Sequence, residues 1–293
     1  MNTSKNFLPG AVTVKIGAKN RMNRYALAVP IALIVLTVIF SANAQNDDVA
    51  AKPKVFQAAG PNIASIQSAV DDFRLELGAN NGITNTPPPQ PLTTGRREIN
   101  WDGGGGVATN TVSPTPLDQF LTGRGTRFTT PGSGFVQAPP AGLAEVFGNP
   151  SYATIFKAFS PLRLFSAIDS DVTDTLFFVA GGGEVKATTR GFGVIFSDVD
   201  LPDGSEDPAP KQGNRHASTL IEYFDANGEV IFSSFAPASP GDGNQSFLGI
   251  VFGDARIARV RITVGAPPGF DDSRKRDVVM MDDFIYGEPQ AIH

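Results

Sequence analysis

The chain contains no cysteine and only two histidines. The absence of cysteine excludes disulfides, thiolate metal sites, thiol nucleophiles and redox motifs, so the core must hold the fold together. A Ser-His-Asp arrangement would have to use His216 with Ser205 or Ser218, because His293 is terminal. No nucleophile elbow surrounds these serines, which disfavours serine-type catalysis.

Tryptophan and tyrosine are also scarce, with 1 Trp and 4 Tyr against 22 Phe. Phenylalanine fills a core but makes few polar contacts, so an extended stacking platform for sugars is not evident. By contrast, 31 Gly and 23 Pro are spread between short apolar runs. That distribution favours an all-β domain with many turns over a helical one.

Residues 1–44 have the pattern of a signal peptide. Four basic residues between positions 15 and 24 precede an apolar run over residues 25–40, and Ala42-Asn43-Ala44 supplies the small residues at a cleavage site. A retained membrane anchor is the alternative, but the run is short and Pro30 interrupts it. We therefore expect cleavage after Ala44, no membrane span afterwards, and a secreted or periplasmic protein.

The charge that remains after cleavage narrows the choice of partners. Residues 1–44 carry five basic and no acidic residues, so the processed chain keeps 19 basic against 29 acidic residues, a net charge of −10. Nucleic acids and anionic lipids require clustered lysine and arginine. Neither is expected as a partner.

Residues 45–95 are predicted to form a flexible leader, one helix and a proline-rich loop. Apolar residues recur at steps of three and four from Ile63 to Leu77, Asn62 is suited to cap the start, and Gly78 follows the end. An apolar stripe of this width is expected to pack on a sheet, although a partner-binding helix has the same pattern.

Residues 96–289 are predicted to form a jelly-roll-like, two-sheet antiparallel β-sandwich. Apolar residues alternate with polar ones from Ile257 to Val264, which is typical of a strand with one buried face. Gly191 and Gly193 leave one strand face nearly bare, so a bulky group is expected close to it. The turn around Gly228 predicts a hairpin. The strand over 278–286 is expected to be one of the paired strands of the sandwich.

Two carboxylates interrupt the apolar pattern of that last strand. Asp282 and Asp283 follow one another, so at least one of them must point to a buried face. One interpretation is a structural calcium site completed by Glu98 or Asp102 from the first strand of the sandwich. The other is a carboxylate bonded to loop backbone or to an arginine such as Arg96.

A second acidic segment follows the strand over 192–196. Asp198, Asp200, Asp203, Ser205 and Asp207 give it the composition of a calcium loop, but its glycine comes one residue late for EF-hand spacing and no helices flank it. A solvated acidic loop is the favoured interpretation.

The segments GRREINWDG, FSPLRLF, TRGFGVIFSDVD, IEYFDANG, FLGIVF and VVMMDDFIYGEP, in that order, resemble an uncharacterised family of exported bacterial proteins. The resemblance spans most of the processed chain and implies a secreted β-rich domain without an established activity. More loosely, the chain is similar to jelly-roll carbohydrate-binding modules that hold a structural calcium ion, although a shared fold does not transfer function.

Three functions remain open from the sequence. The first is a non-catalytic module that binds a glycan or cell-surface polymer, with Trp101, Tyr223, Tyr152 and Arg163 as candidate contacts. The second is a carbohydrate-active hydrolase, which needs only a pair of carboxylates. The candidate carboxylates for that pair are Glu98, Asp102, Glu145, Glu184 and Glu222. The third is a purely structural envelope or matrix component.

Overall fold

The structure is a computed structural model that describes residues 52–82, 88, 91–103, 110–201, 219–273 and 276–292. The predicted signal peptide, the residues Asp203, Ser205 and Asp207 of the acidic segment, and both histidines lie outside these ranges. Within them the protein is mainly β. None of the helices described is both long enough and apolar enough to cross a membrane.

The described residues form fifteen strands and four helices. The strands are β1 Lys54–Gly60, β2 Arg96–Ile99, β3 Thr111–Pro114, β4 Thr126–Thr129, β5 Gly134–Ala138, β6 Leu164–Ile168, β7 Val172–Phe177, β8 Ala187–Thr188, β9 Gly191–Ser197, β10 Leu220–Phe224, β11 Val230–Phe235, β12 Gln245–Val251, β13 Arg259–Thr263, β14 Met280–Gly287 and β15 Gln290–Ala291. The helices are α1 Ile63–Leu77, α2 Leu121–Arg124, α3 Pro140–Phe147 and α4 Tyr152–Ile155.

The larger sheet has eight strands in the order β1-β12-β9-β14-β6-β5-β3, with β2 also paired to β14. Strand β14 lies in the middle, because its C-terminal half pairs with β9 on one side and with β2 on the other. The last long strand is therefore integral to the sheet, as the sequence predicts. Its partner β2 is the strand predicted to meet it, with Ile285 opposite Glu98.

The smaller sheet has five antiparallel strands in the order β11-β10-β13-β7-β4. The predicted hairpin forms its edge as β10 and β11, and the alternating segment forms β13. One buried cluster contains side chains of both sheets, and Phe177 of the smaller sheet contacts Phe192 and Tyr286 of the larger one. The two antiparallel sheets are thus arranged like a sandwich around a phenylalanine-rich core.

Helix α1 covers the other face of the larger sheet. Its cap is as predicted, since the Asn62 side chain accepts a hydrogen bond from the Ser65 amide and Gly78 has a φ of 99°. The ring of Phe73 lies 2.9 Å from the position of a Cβ at Gly193. A side chain there would collide with the ring, so the bare glycine face makes room for the helix. The predicted packing of the helix on a sheet is confirmed.

The predicted flexible leader differs from the structure in its described part. Residues 54–60 form strand β1, which pairs in full register with β12 at the edge of the larger sheet. This strand has a weak sequence signal because it lies at the sheet edge, where part of it stays in contact with solvent. Val55, for example, is 45% exposed. The sheet therefore begins before α1, about forty residues earlier than the sequence indicates.

Candidate functional site

A polar cleft opens where α1, the end of β2 and residues 159–160 meet beside β14. It has a volume of about 450 Å³. Its walls combine side-chain amides, charged groups, one hydroxyl, one aromatic ring and one aliphatic side chain. They are Ile63, Gln67, Arg74, Asn80, Gly82, Glu98, Asn100, Arg124, Phe159, Ser160 and Asp283.

Arg74 holds the acidic wall of the cleft together. It follows Phe73 on α1, so the docking of that ring on the sheet brings the guanidinium over β2 and β14. Its Nη2 donates to Glu98 Oε2 at 2.8 Å and to Asp283 Oδ2 at 3.3 Å, and Arg96 Nε donates to Glu98 Oε1 at 2.7 Å. Both carboxylates thus have an arginine partner.

Asp282 and Asp283 lie where the pairing of β14 with β9 shifts register, between Met281 and Phe284. Such an irregularity re-aims side chains that a regular strand would send to opposite faces. Here both carboxylates reach Ser160, whose Oγ is 2.6 Å from Asp283 Oδ1 and 3.1 Å from Asp282 Oδ1. The amide of Phe159 donates to Asp282 Oδ2 at 2.6 Å.

Burial raises the pKa of both aspartates. Asp282 is fully buried, and the adjacent charge of Asp283 raises the pKa of Asp282 further. The pKa of Asp283 is raised by burial too, while Arg74 and the Ser160 hydroxyl favour its charged form. The pair therefore keeps a proton at pH values where an exposed aspartate has lost it.

The structure brings together three of the four predicted metal ligands. Glu98 and Asp283 share Arg74, and Asp282 and Asp283 share Ser160. Asp102 is apart from them, and its Oδ1 accepts from the Leu162 and Arg163 amides at 2.8 and 2.9 Å. Both kinds of partner in the alternative interpretation are present, loop backbone at Asp282 and arginine at Asp283, but the arginine is Arg74, and Arg96 pairs with Glu98 instead. In the described ranges no group of three His, Cys, Asp or Glu is suited to hold a metal, so calcium at these residues stays a prediction.

The four side chains predicted as ligand contacts are all buried. Trp101 stacks on Phe165 with ring centroids 3.7 Å apart, and its Nε1 donates to the Asp282 carbonyl at 2.8 Å. Tyr223 lies in the same core, where burial raises its pKa strongly. The indole supports β14 from the core side, and neither ring lines the cleft.

Tyr152 and Arg163 have interior partners as well. The Tyr152 hydroxyl donates to the Phe270 carbonyl at 2.6 Å, and burial raises its pKa to about 12. Arg163 donates to Thr111 Oγ1 at 3.1 Å and to the Gly103 carbonyl at 2.6 Å. Tyr152 thus joins α4 to the segment around Phe270, Arg163 joins the residues before β6 to β3, and neither side chain lines the cleft.

The other carboxylates considered for hydrolysis are scattered. Glu145 accepts from Asn110, and Glu184 pairs with Arg127 on the surface. Glu222 lies on β10 in the smaller sheet. Of these candidates, only Glu98 lines the cleft, where Asp283 is a second carboxylate. Sequence spacing gives no indication of this pairing, because a shared arginine from α1 joins the two carboxylates.

Sequence reasoning missed the residues that organise the cleft. Arg74 is one charged residue among several on the polar side of α1, and Ser160 lies between two aromatic segments without a motif. A weak signal exists for Arg74, since it directly follows the buried Phe73 and is therefore placed at the border of the docked stripe. Ser160 has no comparable signal.

Comparison of the chain with protein-family models, with curated proteins and with solved structures finds no match.

Proposed function

We propose that this protein is an exported, non-catalytic module that binds a glycan or another hydroxyl-rich cell-surface polymer in the cleft between α1 and β14. The observation that carries the proposal is the composition of the cleft wall, where amides, carboxylates, guanidinium groups and a hydroxyl surround one concave space. A volume of about 450 Å³ lies in the range of small-molecule sites.

Sugars suit such a wall for chemical reasons. Each hydroxyl both donates and accepts, so it pairs with an amide that offers both functions or with a carboxylate and an arginine side by side. Gln67, Asn80 and Asn100 supply the amides, and Phe159 and Ile63 supply apolar surface for the C–H face of a ring. The acidic wall is held by Arg74 before any ligand arrives, which lowers the ordering cost of binding.

Binding is tested with two variants that leave the buried network intact. Gln67→Ala and Asn100→Ala remove amides from the wall, and Ser68→Ala changes an exposed neighbour on α1 that does not line the cleft. The purified protein is screened on a glycan array, and the captured oligosaccharide is titrated by calorimetry. We expect the double cleft variant to lose at least tenfold in affinity, about 1.4 kcal/mol, and Ser68→Ala to keep it.

An array without signal, or equal affinity in all variants, would contradict the proposal. If neither binding nor turnover is detected, the third function, a structural envelope component, is favoured.

A carbohydrate-active hydrolase is the second candidate, and one observation favours it. Asp283 lines the cleft beside Glu98 and has a raised pKa, as a general acid requires. Release of reducing sugar from the captured glycan, abolished by Asp283→Asn, would support this activity. Binding without release supports the non-catalytic module.

Export and jelly-roll connectivity are parts of the proposal that rest on the sequence. The two antiparallel sheets support a sandwich, and the resemblance to carbohydrate-binding modules supports the finer connectivity. Mass spectrometry of the protein from an exporting host tests the first part. We expect a mature N-terminus at Gln45, and an intact Met1 in the extracellular or periplasmic fraction would contradict cleavage after Ala44.

A further inference from the structure

A second group of aspartates lies at the end of β9, away from the cleft. Asp198 and Asp200 follow that strand, and Asp272 and Asp277 precede β14. The four residues are called the Asp198 cluster here. Asp198 and Asp200 accept from the amides of Gly243 and Gly241, and the Asp200 amide donates to Asp277, so the first segment contacts both the turn that contains these glycines and the second segment.

Asp198 is the deepest member and has an unused acceptor. Only 1% of the residue is exposed, and its backbone has a φ of 76°, a conformation that is uncommon outside glycine. Its Oδ1 accepts from the Gly243 amide at 3.1 Å, while Oδ2 is buried without a hydrogen-bond partner. A buried carboxylate oxygen without a donor is costly and requires an explanation.

The neighbouring carboxylates are fixed by backbone amides. Asp277 is fully buried and accepts from the amides of Asp200 and Leu201 at 3.1–3.3 Å. Asp200 Oδ1 accepts from Gly241 at 2.8 Å, and Asp272 Oδ1 accepts from Val278 at 2.9 Å. Backbone donors therefore orient all four carboxyl groups without neutralising them.

When its carboxyl groups are ionised, the cluster carries uncompensated charge. Among the ion pairs between described residues, none includes one of its aspartates. Burial, with mutual repulsion added, raises the pKa of Asp198 to about 8, of Asp277 to about 7 and of Asp272 to about 6. The exposed Asp242 adds further negative charge beside Asp272.

We propose that the Asp198 cluster binds a divalent cation that prefers oxygen ligands, with calcium as the ion to be tested, through Asp198 Oδ2 together with the carboxyl group of Asp200. The ion supplies the missing partner of the buried oxygen and offsets the collected charge. Since no three acidic side chains in the described ranges are already gathered around one point, the ion keeps water ligands beside the carboxylates.

This site is independent of the glycan proposal, because it shares no residue with the cleft. It also differs from the calcium site that the last strand predicts, where the carboxylates have arginine and serine partners. The two locations can therefore be separated by variants.

The test is thermal unfolding of the purified protein at pH 8 in 10 mM calcium chloride, in EDTA, and in sodium chloride of equal ionic strength. With a Kd of roughly 0.1–1 mM, typical of weak exported sites, calcium is expected to raise Tm by about 5 °C over EDTA. Asp198→Asn and Asp200→Asn should lose this response. Asp254→Asn, on an exposed surface loop, and Asp283→Asn in the cleft should keep it.

Asp200 is only half-buried, so Asp200→Asn keeps the test informative if Asp198→Asn fails to fold. Equal Tm values in calcium and EDTA would overturn the proposal. It would also be overturned by an equal rise in sodium chloride, which would indicate screening alone. A response lost in Asp283→Asn and kept in Asp198→Asn would place the ion at the last strand instead.

Discussion

The protein gathers buried aspartates at two places, and the two differ in what surrounds the charge. At the cleft, the carboxylates of Asp282 and Asp283 are both within hydrogen-bond distance of the Ser160 hydroxyl, and Asp283 also pairs with Arg74. At the Asp198 cluster the carboxylates accept from backbone amides, and one oxygen of Asp198 has no partner. The first group is closed by the protein itself, whereas the second has capacity for a ligand.

The difference shows how burial alone is a poor guide to a metal site. Burial raises the pKa of aspartates in both groups. A carboxylate with an arginine partner gains little from an added cation, because the cation must compete with a charge that is already in place. An oriented but unpaired carboxylate has no such competitor.

The stability of the ion-free protein should fall as the pH rises from about 5 to about 8. The folded pKa values of Asp198 and Asp277, about 8 and about 7, lie above the ordinary value of 3.8, so the folded state binds more protons in this window. One pKa unit corresponds to 1.36 kcal/mol, and we expect a loss on the order of 4 kcal/mol. Urea unfolding in EDTA measures it.

Asp198→Asn should flatten this pH dependence, because it removes the carboxyl group with the highest pKa in the cluster. A stability that rises between pH 5 and pH 8 in EDTA would contradict the assignment.

Removing the arginine partner should make the cleft resemble the Asp198 cluster. Arg74→Met leaves Glu98 and Asp283 with less compensation while it keeps the aliphatic stem, and we expect a loss of about 3 kcal/mol at pH 8 and less at pH 5. The control is Arg127→Met, whose partners Asp118 and Glu184 are exposed, with a loss of at most about 1 kcal/mol. Equal losses in urea unfolding would show that Arg74 has no special role.

Removing one charge from the Asp198 cluster should have the opposite sign. At pH 8 in EDTA, Asp198→Asn is expected to raise the free energy of unfolding by about 1 kcal/mol, because one of the repelling buried charges is gone. Asp254→Asn should change it by less than about 0.5 kcal/mol. A loss of stability in Asp198→Asn at pH 8 would mean that the charge is compensated.

Much of the fold could be predicted from the sequence, because many of its helices and strands are encoded by residues that are close together in the chain. The stripe from Ile63 to Leu77, the hairpin before Val230 and the alternation in β13 each depend on neighbours in the chain. Strand β1 has no clear local pattern, because it pairs with β12, which is far away in the sequence, and most of its residues are exposed or half-buried. The jelly-roll connectivity stays a prediction.

The candidate sites were less predictable, for a physical reason. Asp282, Asp283 and Glu98 could be selected as unusual carboxylates, and the pairing of β2 with β14 could be expected. Their arginine partner comes from α1, and the register shift that turns both aspartates toward Ser160 leaves no mark in the sequence. The sequence predicts a solvated loop at Asp198 and Asp200, whereas Asp198 is buried and accepts from the amide of Gly243, which is distant in the chain.

The most direct test of the contrast is a titration of the Asp198 carboxyl carbon, followed by NMR in EDTA and again in 10 mM calcium chloride. We expect a midpoint at a pKa of about 8 in EDTA and a midpoint at least two units lower with calcium. A midpoint near the ordinary aspartate value of 3.8 under both conditions would contradict it, since the carboxylate would then be neither strained by its neighbours nor a ligand.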